Sequence, residues 1–351
     1  MTENVNFFAF ALAMAVTGVM TPVVIAFARR TAFYDRPTGY KQHGEPTPYL
    51  GGVAVVLGLI AGALILGGQL EAVDAILAAA VVMLAVGTID DRIGLGIGLR
   101  VIAEVGTAVG LYYAGFGWSV FGSEVANLLL TVVFVLAVIN AYNLMDNLDG
   151  AASTVALVSA GAIGIYATFA GAPVIGALAA ALTGACAGFL PFNLFKPSAR
   201  IFLGDGGSMA IGVTLAAVIM SLPGMGGFGW ELLPVIVVMV GMPALDTALV
   251  IVSRLRRHVN VLSGGRDHLT HRLLSRFRSP QTVAVVLASG QVAASALAIG
   301  LLQLGPMAAL VGAGVLLACG LTLIAALETI WAGATLRASV GPTAAPDRSP
   351  A

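Results

Sequence analysis

The sequence predicts an all-α polytopic membrane protein of about eleven transmembrane helices, with its N-terminus outside and its C-terminus in the cytoplasm. Three observations carry that prediction. The chain is 59% hydrophobic and 10% charged, with a mean hydropathy of +0.98, whereas a soluble domain carries about 25% charged residues. Eleven apolar runs reach or approach the roughly 17–25 residues that a spanning helix needs. All 17 Lys and Arg residues fall on one side of the topology those runs define.

The runs lie near 6–28, 49–67, 73–89, 99–116, 124–141, 151–170, 173–192, 208–222, 232–253, 280–302 and 306–330, the eighth being short. The start MTENVNFFAF has no basic n-region and no small-residue cleavage site, so the first run reads as a retained span rather than a signal peptide. Residues 1–337 are expected to form a single integral membrane domain, and 338–351, rich in Pro, Ser and Ala, a disordered tail. Cys186 and Cys319 sit in apolar runs and suggest neither a disulfide nor a thiolate metal site. A net charge of zero gives no field that would draw in nucleic acid.

Orientation follows from charge. The connections after odd-numbered spans hold every Lys and Arg, from Arg29 and Arg30 through Arg337 and Arg348. The other side carries only acids: Glu3, Glu71, Asp74, Glu124 and Glu231. Positive-inside bias places the basic side in the cytoplasm, and a ten-span count would break the partition. Trp118 and Trp230, in short outer loops, are expected to act as interfacial anchors.

Each polar cluster falls on the cytoplasmic face. The first loop contains Lys41 and His43 and ends in Gly51-Gly52. Those glycines permit close backbone approach and leave helix N-terminal amides for an anion, though an ordinary basic loop is the plainer reading. The second opens with Asp90-Asp91-Arg92. Adjacent carboxylates repel unless a cation or proton is shared between them, so a Mg²⁺ or substrate site competes with a solvated helix end. The third runs from Asn140 to Gly150, where Asp146 and Asp149 share a face if the turn is helical. An N-cap for the sixth span is the competing account.

The fourth cluster contains Asn193, Lys196 and Arg200, then Gly204-Asp205-Gly206-Gly207. One carboxylate among three glycines at a helix start suits a metal or a phosphate, with a helix cap as the alternative. The fifth, 254–279, holds Arg266-Asp267-His268-Leu269-Thr270-His271-Arg272. Two histidines on one helical face with basic neighbours read as a phosphate clamp rather than a zinc site. Acids suit a hard cation and bases suit phosphates, so the face as a whole describes Mg²⁺-assisted chemistry on a diphosphate.

Five blocks, in order and on one face, resemble the polyprenyl-phosphate N-acetylhexosamine-1-phosphate transferases, integral membrane enzymes of the MraY/WecA type. They are the K-x-H…P…GG loop, the DD pair, N-x-x-N-x-x-D-x-x-D-G, F-N…GD-x-GS and D-H-x-x-H-R. The likeness covers spans one to ten and implies a cytoplasm-facing active site in a bacterial inner (plasma) membrane. By that resemblance Asp205 is the Mg²⁺-binding aspartate, with Mn²⁺ as the alternative ion. Asp90 and Asp91 are the essential pair beside the metal and the prenyl phosphate. Asn143, Asp146 and Asp149 shape the nucleotide pocket with Asn193, and Lys41 and His43 join the substrate-binding set. His268 and His271, with Arg266 and Arg272, form the late loop at the diphosphate and sugar.

The implied reaction moves a sugar 1-phosphate, N-acetylglucosamine 1-phosphate first, from a UDP-N-acetylhexosamine donor to polyprenyl phosphate. Polyprenyl-diphospho-sugar and UMP are the products, in the first membrane step of cell-envelope glycan synthesis. The late loop lacks the His-His-His of the muramoyl-pentapeptide translocases, which favours the undecaprenyl-phosphate GlcNAc-1-phosphate transferase branch. Departures from the family pattern are Asn147 where Gly is frequent, the eleven-residue gap from Asn193 to Gly204, and Arg100 and Glu104 where Lys and Gln are common.

Other readings stand beside this one. The pentapeptide branch is the nearest. A CDP-alcohol phosphotransferase shares the start D-x-x-D-G, but Ser153 and Thr154 replace its Ala-Arg. A transporter would place its carboxylates near the midplane. Asp246 lies eight residues before Arg254, roughly 12 Å inside the boundary, as either a cavity residue or a buried anchor. Glu104 is expected to pair with Arg100 one turn away. The sequence fixes no oligomeric state and admits a homodimer.

Overall fold

Helices occupy each of the eleven apolar runs, and local chemistry sets their ends. The computed structural model describes residues 2–35, 47–195, 199–222 and 233–339. In chain order these hold α1 (Thr2–Thr31), a two-residue antiparallel pairing of β1 (Tyr34–Asp35) with β2 (Thr47–Pro48), α2 (Gly51–Ala63) and a 3₁₀ stretch to Ala72. Then come α3 (Asp74–Ile93), α4 (Ile97–Leu111), α5 (Glu124–Met145), α6 (Ala151–Phe169), α7 (Pro173–Asn193) and α8 (Gly204–Met220). The chain continues with α9 (Leu233–Val238), α10 (Gly241–Arg256), α11 (Leu269–Phe277), α12 (Pro280–Gln303) and α13 (Pro306–Ser339). Ser123 and Ser279 cap α5 and α12 by accepting backbone N–H groups. Pro173, Pro280 and Pro306 open their helices, where a missing N–H is harmless. Gly94, at φ +67°, closes α3 and returns its N–H to the Asp90 carbonyl.

Among the described residues, eight helices are long and apolar enough to cross a membrane. The other three expected spans differ in kind. The third ends in three charges, the eighth is a helix of 17 residues, and the ninth is broken into α9 and α10. The break has a local cause. Pro243 has no N–H, and its ring would collide with the carbonyl of residue 239 in a continuous helix. Buried Gln291 of α12 fills the gap: its carbonyl accepts the Met242 N–H at 3.0 Å and its amide donates to the Met239 carbonyl at 2.9 Å. Backbone groups freed inside a bundle need such a partner.

Helix α8 is the centre, buried from Gly206 to Met220, with α2, α3, α5 and α6 packed around it. Glycines set the spacing. A Cβ on Gly52 would lie 2.4 Å from the Gly207 Cα, and one on Gly87 would lie 2.3 Å from the Gly206 nitrogen. Gly184 and Gly188 of α7 meet the carbonyls of Phe10 and Met14 on α1 in the same manner, at 2.1 and 2.4 Å. Small residues four apart let apolar helices approach backbone to backbone, where hydrophobic burial alone gives no drive in lipid. The seam with α2 and α3 grips the first turn of α8, which carries Asp205.

Trp118 departs from its expected role as an interfacial anchor. It is 2% exposed and lies edge-on to Phe134 at 5.3 Å, because the segment before α5 folds back onto that helix. Thr131 accepts its backbone N–H, and Asn127 accepts those of Val120 and Phe121. Trp230, Lys41, His43 and the tail from residue 340 lie outside the described residues.

Candidate active site

The connections after α3, α5 and α7 and the segment joining α10 to α11 meet around one cavity of about 1140 Å³. Its wall includes Asp91, Arg100, Asn143, Asp146, Asp149, Asn193, Asp205, Arg254, Arg266, His268 and His271. Of the described residues expected at the site, Asp90 and Arg272 are not in that wall.

The adjacent aspartates separate. Asp90 accepts the Leu95 N–H at 2.6 Å through Oδ1 and the Arg100 guanidinium at 3.1 Å through Oδ2. Asp91 reaches the start of α8, where its Oδ2 accepts the Asp205 backbone N–H at 2.9 Å and the Gly206 N–H also faces it. The expected anion nests are therefore occupied by the protein itself. The Gly51 and Gly52 amides, expected to be free, donate to the Phe202 and Leu203 carbonyls at 3.0 and 2.8 Å. Gly204, at φ +77°, has a conformational reason as well: a Cβ there would lie 2.5 Å from the Tyr49 carbonyl oxygen and 2.8 Å from Asp91 Oδ2.

Arg100 is the central cation, with contacts well beyond its expected pairing with Glu104. Its Nη1 reaches Asp90 at 3.1 Å and Asp205 at 3.3 Å, and its Nη2 donates to Asn143 Oδ1 at 2.6 Å. Glu104, fully buried one turn along α4, lies 3.5 Å from its Nε and accepts from Asn140 at 2.7 Å. The expected Arg100–Glu104 pair is thus present. An Arg inside an apolar run with a Glu four residues on was the available signal.

Asparagines tie the connections together. Asn193 accepts the Gly150 N–H at 2.6 Å and donates to the Ile201 carbonyl at 2.9 Å, so both ends of its amide are engaged. Asn143 donates to Ser208 at 3.1 Å, and Asn147 accepts from the Thr270 hydroxyl of α11. Burial, then the nearby carboxylates of Asp205, Asp91 and Asp149, push the Asp146 carboxyl well above the usual carboxylate range.

The late segment is braced by ion pairs. Arg254 grips Asp267 through two hydrogen bonds of 3.0 Å, and Arg257 adds a third. Arg272 departs from the expected substrate contact. It is buried, donating to the Asp267 carbonyl, to Ser253 and to Glu328 of α13, which fixes α11 to α10 and α13. Asp246 resolves as a buried anchor: its Oδ2 lies 2.8 Å from His268 Nδ1, and its Oδ1 accepts the Leu269 N–H at 2.5 Å. His271 Nδ1 and Thr247 Oγ1 are buried beside the cavity without a hydrogen-bond partner among the described residues.

Among the described residues no three His, Cys, Asp or Glu side chains converge on one ion position. Mg²⁺ asks for less, since it keeps several waters and takes one or two carboxylates. The donors at the α8 end of the cavity are hard oxygens, and the carboxylates of Asp91 and Asp205 are near enough to Asp146 to raise its proton affinity. That donor chemistry fits Mg²⁺ or Mn²⁺.

Residues 73–222, from α3 through α8, match glycosyl transferase family 4. The chain is 32% identical to the decaprenyl-phosphate N-acetylglucosaminephosphotransferase of Mycolicibacterium smegmatis, over 90% of its own length and 87% of the relative's. It belongs to the polyprenyl-phosphate N-acetylhexosamine-1-phosphate transferases. Other members are similar over most of their length. The probable undecaprenyl-phosphate N-acetylglucosaminyl 1-phosphate transferase of Bacillus subtilis is 29% identical over 76% of each chain. The undecaprenyl-phosphate alpha-N-acetylglucosaminyl 1-phosphate transferase of Escherichia coli K12 is 28% identical over 79% of this chain and 80% of its own. As a member of this transferase family the chain is a multi-pass membrane protein, and the family match spans its carboxylates from Asp90 to Asp205.

Proposed function

We propose that the chain transfers N-acetylglucosamine 1-phosphate from a UDP-sugar to polyprenyl phosphate, releasing UMP, at the cytoplasmic face of a bacterial inner membrane. One observation carries this reading: a single cavity joins the carboxylates of Asp91, Asp146, Asp149 and Asp205 to the bases Arg100, Arg254, Arg266, His268 and His271. The relatives named above are phosphotransferases that use N-acetylglucosamine and a polyprenyl phosphate. Apolar Leu95, Ile97, Val101, Val250 and Ile251 in the same wall suit the first units of a prenyl chain. The chain crosses eleven times, α9 and α10 sharing the ninth crossing, with the N-terminus outside. Three of the four connections that meet at the cavity, those after α3 and α7 and the one from α10 to α11, carry Lys or Arg, which supports this orientation.

Asp205, with Asp91 or Asp146, would hold Mg²⁺, which neutralises charge on the diphosphate when bound. A phosphate monoester has a second pKa of about 6, so at pH 7 the lipid nucleophile is already mostly ionised and needs no strong base. Arg100 and Arg266 orient the phosphates. The lipid phosphate oxygen attacks the β-phosphorus in line; the new P–O bond forms as the bridge to the α-phosphate breaks, and UMP leaves with that oxygen. Direct attack is favoured over an aspartyl-phosphate. Asp90 is already held by Arg100 and the Leu95 amide, and Asp91 by the amides of α8, which blunts both as nucleophiles.

The test is UMP release by the purified protein from a panel of UDP-sugars, with and without polyprenyl phosphate. Lipid-dependent release from UDP-N-acetylglucosamine is expected. Release without lipid, or none from this donor, would overturn the reading. Asp205→Asn should abolish divalent-dependent turnover.

A further inference from the structure

Asp246 has no exposed surface, and each of its oxygens serves one donor of the late segment. Oδ2 lies 2.8 Å from His268 Nδ1 and Oδ1 accepts the Leu269 backbone N–H at 2.5 Å. One carboxylate thus holds both the first turn of α11 and the ring of the residue that begins it. Where Asp246 Oδ2 accepts, as Oδ1 does, Nδ1 carries the hydrogen and Nε2 is the nitrogen left for the cavity. His268 lines that cavity, and the His271 ring stands edge-on to it at 6.2 Å.

Resting on the function proposed above, we propose that Asp246 is a positioning residue for His268. It fixes the ring so that Nε2 faces the substrate diphosphate, and its negative charge supports the imidazolium that forms when the diphosphate arrives. The Nε2–H then donates to the phosphate oxygens as the bond to UMP breaks. A carboxylate is required because two donors need two acceptor oxygens. The amide of Asn has one oxygen, and its NH₂ can face His268 only if Nδ1 gives up its hydrogen. That change forbids the imidazolium.

Two measurements test this. In the Asp246→Asn enzyme, kcat should fall about 10²-fold, as when a donor to developing charge is removed, while KM for the UDP-sugar stays near the parent value. His268→Gln should cost the same factor, and the double variant no more than either. A kcat within threefold of the parent, or losses that multiply in the double variant, would overturn the proposal. The second measurement needs no Asp246 variant to fold. The chain has 4 histidines, so ¹⁵N-histidine NMR of the parent protein, with His268→Gln for assignment, reads the ring directly. A protonated Nδ1 is expected, joined by a protonated Nε2 on addition of UDP. An unprotonated Nδ1 would sink the idea. A parent chain without transferase activity would instead retire the function and leave the ring assignment standing.

Discussion

Asp91 caps a helix far along the chain: its Oδ2 accepts the backbone N–H of Asp205, 114 residues on, at 2.9 Å. A carboxylate at a helix N-terminus satisfies orphan amides and meets the positive end of the helix dipole. The pair expected to flank a metal is thus also a structural joint between α3 and α8. Asp91→Asn keeps an acceptor oxygen, so its melting temperature should stay close to the parent while UMP release collapses. Asp91→Ala leaves the amides open and should cost about 1 kcal/mol, read as a lower melting temperature. An Asn variant that melts as low as the Ala variant would show that charge rather than the oxygen makes the joint.

Gly52 and Gly106 are both helical glycines, and their substitution should act in opposite directions. A methyl on Gly52 would enter the Gly207 backbone at 2.4 Å, where no side chain can swing aside. Overpacking of this kind costs about 1–3 kcal/mol, and here it also pushes on the turn that carries Asp205. Gly52→Ala should therefore lower both stability and activity. Gly106 has nothing within 4 Å of an added methyl, so Gly106→Ala should leave the melting temperature equal or slightly higher. Thermal melts of the two purified variants check the contrast.

Two groups of the late segment lose stabilisation in acid, in two stages, against the opposite contribution of Asp146, whose raised carboxyl takes up its proton first in the folded chain. Burial, then Arg266 and His268 nearby, hold the His271 imidazole down at about 4 against an ordinary 6.5. Between those values the unfolded chain takes up a proton that the folded chain does not, so stability falls as pH drops from 6.5 towards 4. Asp267 acts below that. Burial alone would raise its carboxyl, but Arg254 and Arg257 hold it under the ordinary 3.8. Its stabilisation is complete above 3.8 and disappears as pH falls through the depressed value. Between pH 6.5 and 4 the melting temperature should fall less towards acid in His271→Gln than in the parent. An unchanged slope would mean that the folded protein accepts the proton.

The order of helices was legible because apolar length and charge sidedness are properties of single runs. Contacts between distant runs were not. The ninth run reads as one unbroken span, because the Gln291 that makes a break at Pro243 tolerable lies 49 residues beyond the Met242 it bonds. Arg272 looked like a phosphate ligand until Glu328, 56 residues later, was placed beside it. The Gly51-Gly52 and Gly206-Gly207 pairs read as anion sites, with an ordinary basic loop and a helix cap as the respective alternatives. Only the approach of Gly52 to Gly207 decides for packing.

Arg100 gives the sharpest test of how the carboxylates are organised. Its guanidinium lies between Asp90 Oδ2 and Asp205 Oδ2, at 3.1 and 3.3 Å, and Glu104 and Asn143 hold it there. A divalent cation on Asp205 must share that carboxylate with a positive charge already in contact. At an effective dielectric constant of about 20, unit charges a few ångströms apart interact by several kcal/mol. Rearrangement and solvent remove most of that, and about 1.4 kcal/mol left over is tenfold in affinity. Arg100→Met should therefore bind Mg²⁺ about tenfold more tightly than the parent in calorimetry, while kcat falls because the phosphates lose their orienting cation. Arg100→Lys keeps the charge but loses the fork that spans two carboxylates and an amide, so it should bind Mg²⁺ like the parent and turn over more slowly. Weaker Mg²⁺ binding in Arg100→Met would reverse the assignment. Arg100 would then hold Asp205 in position for the metal instead of competing with it.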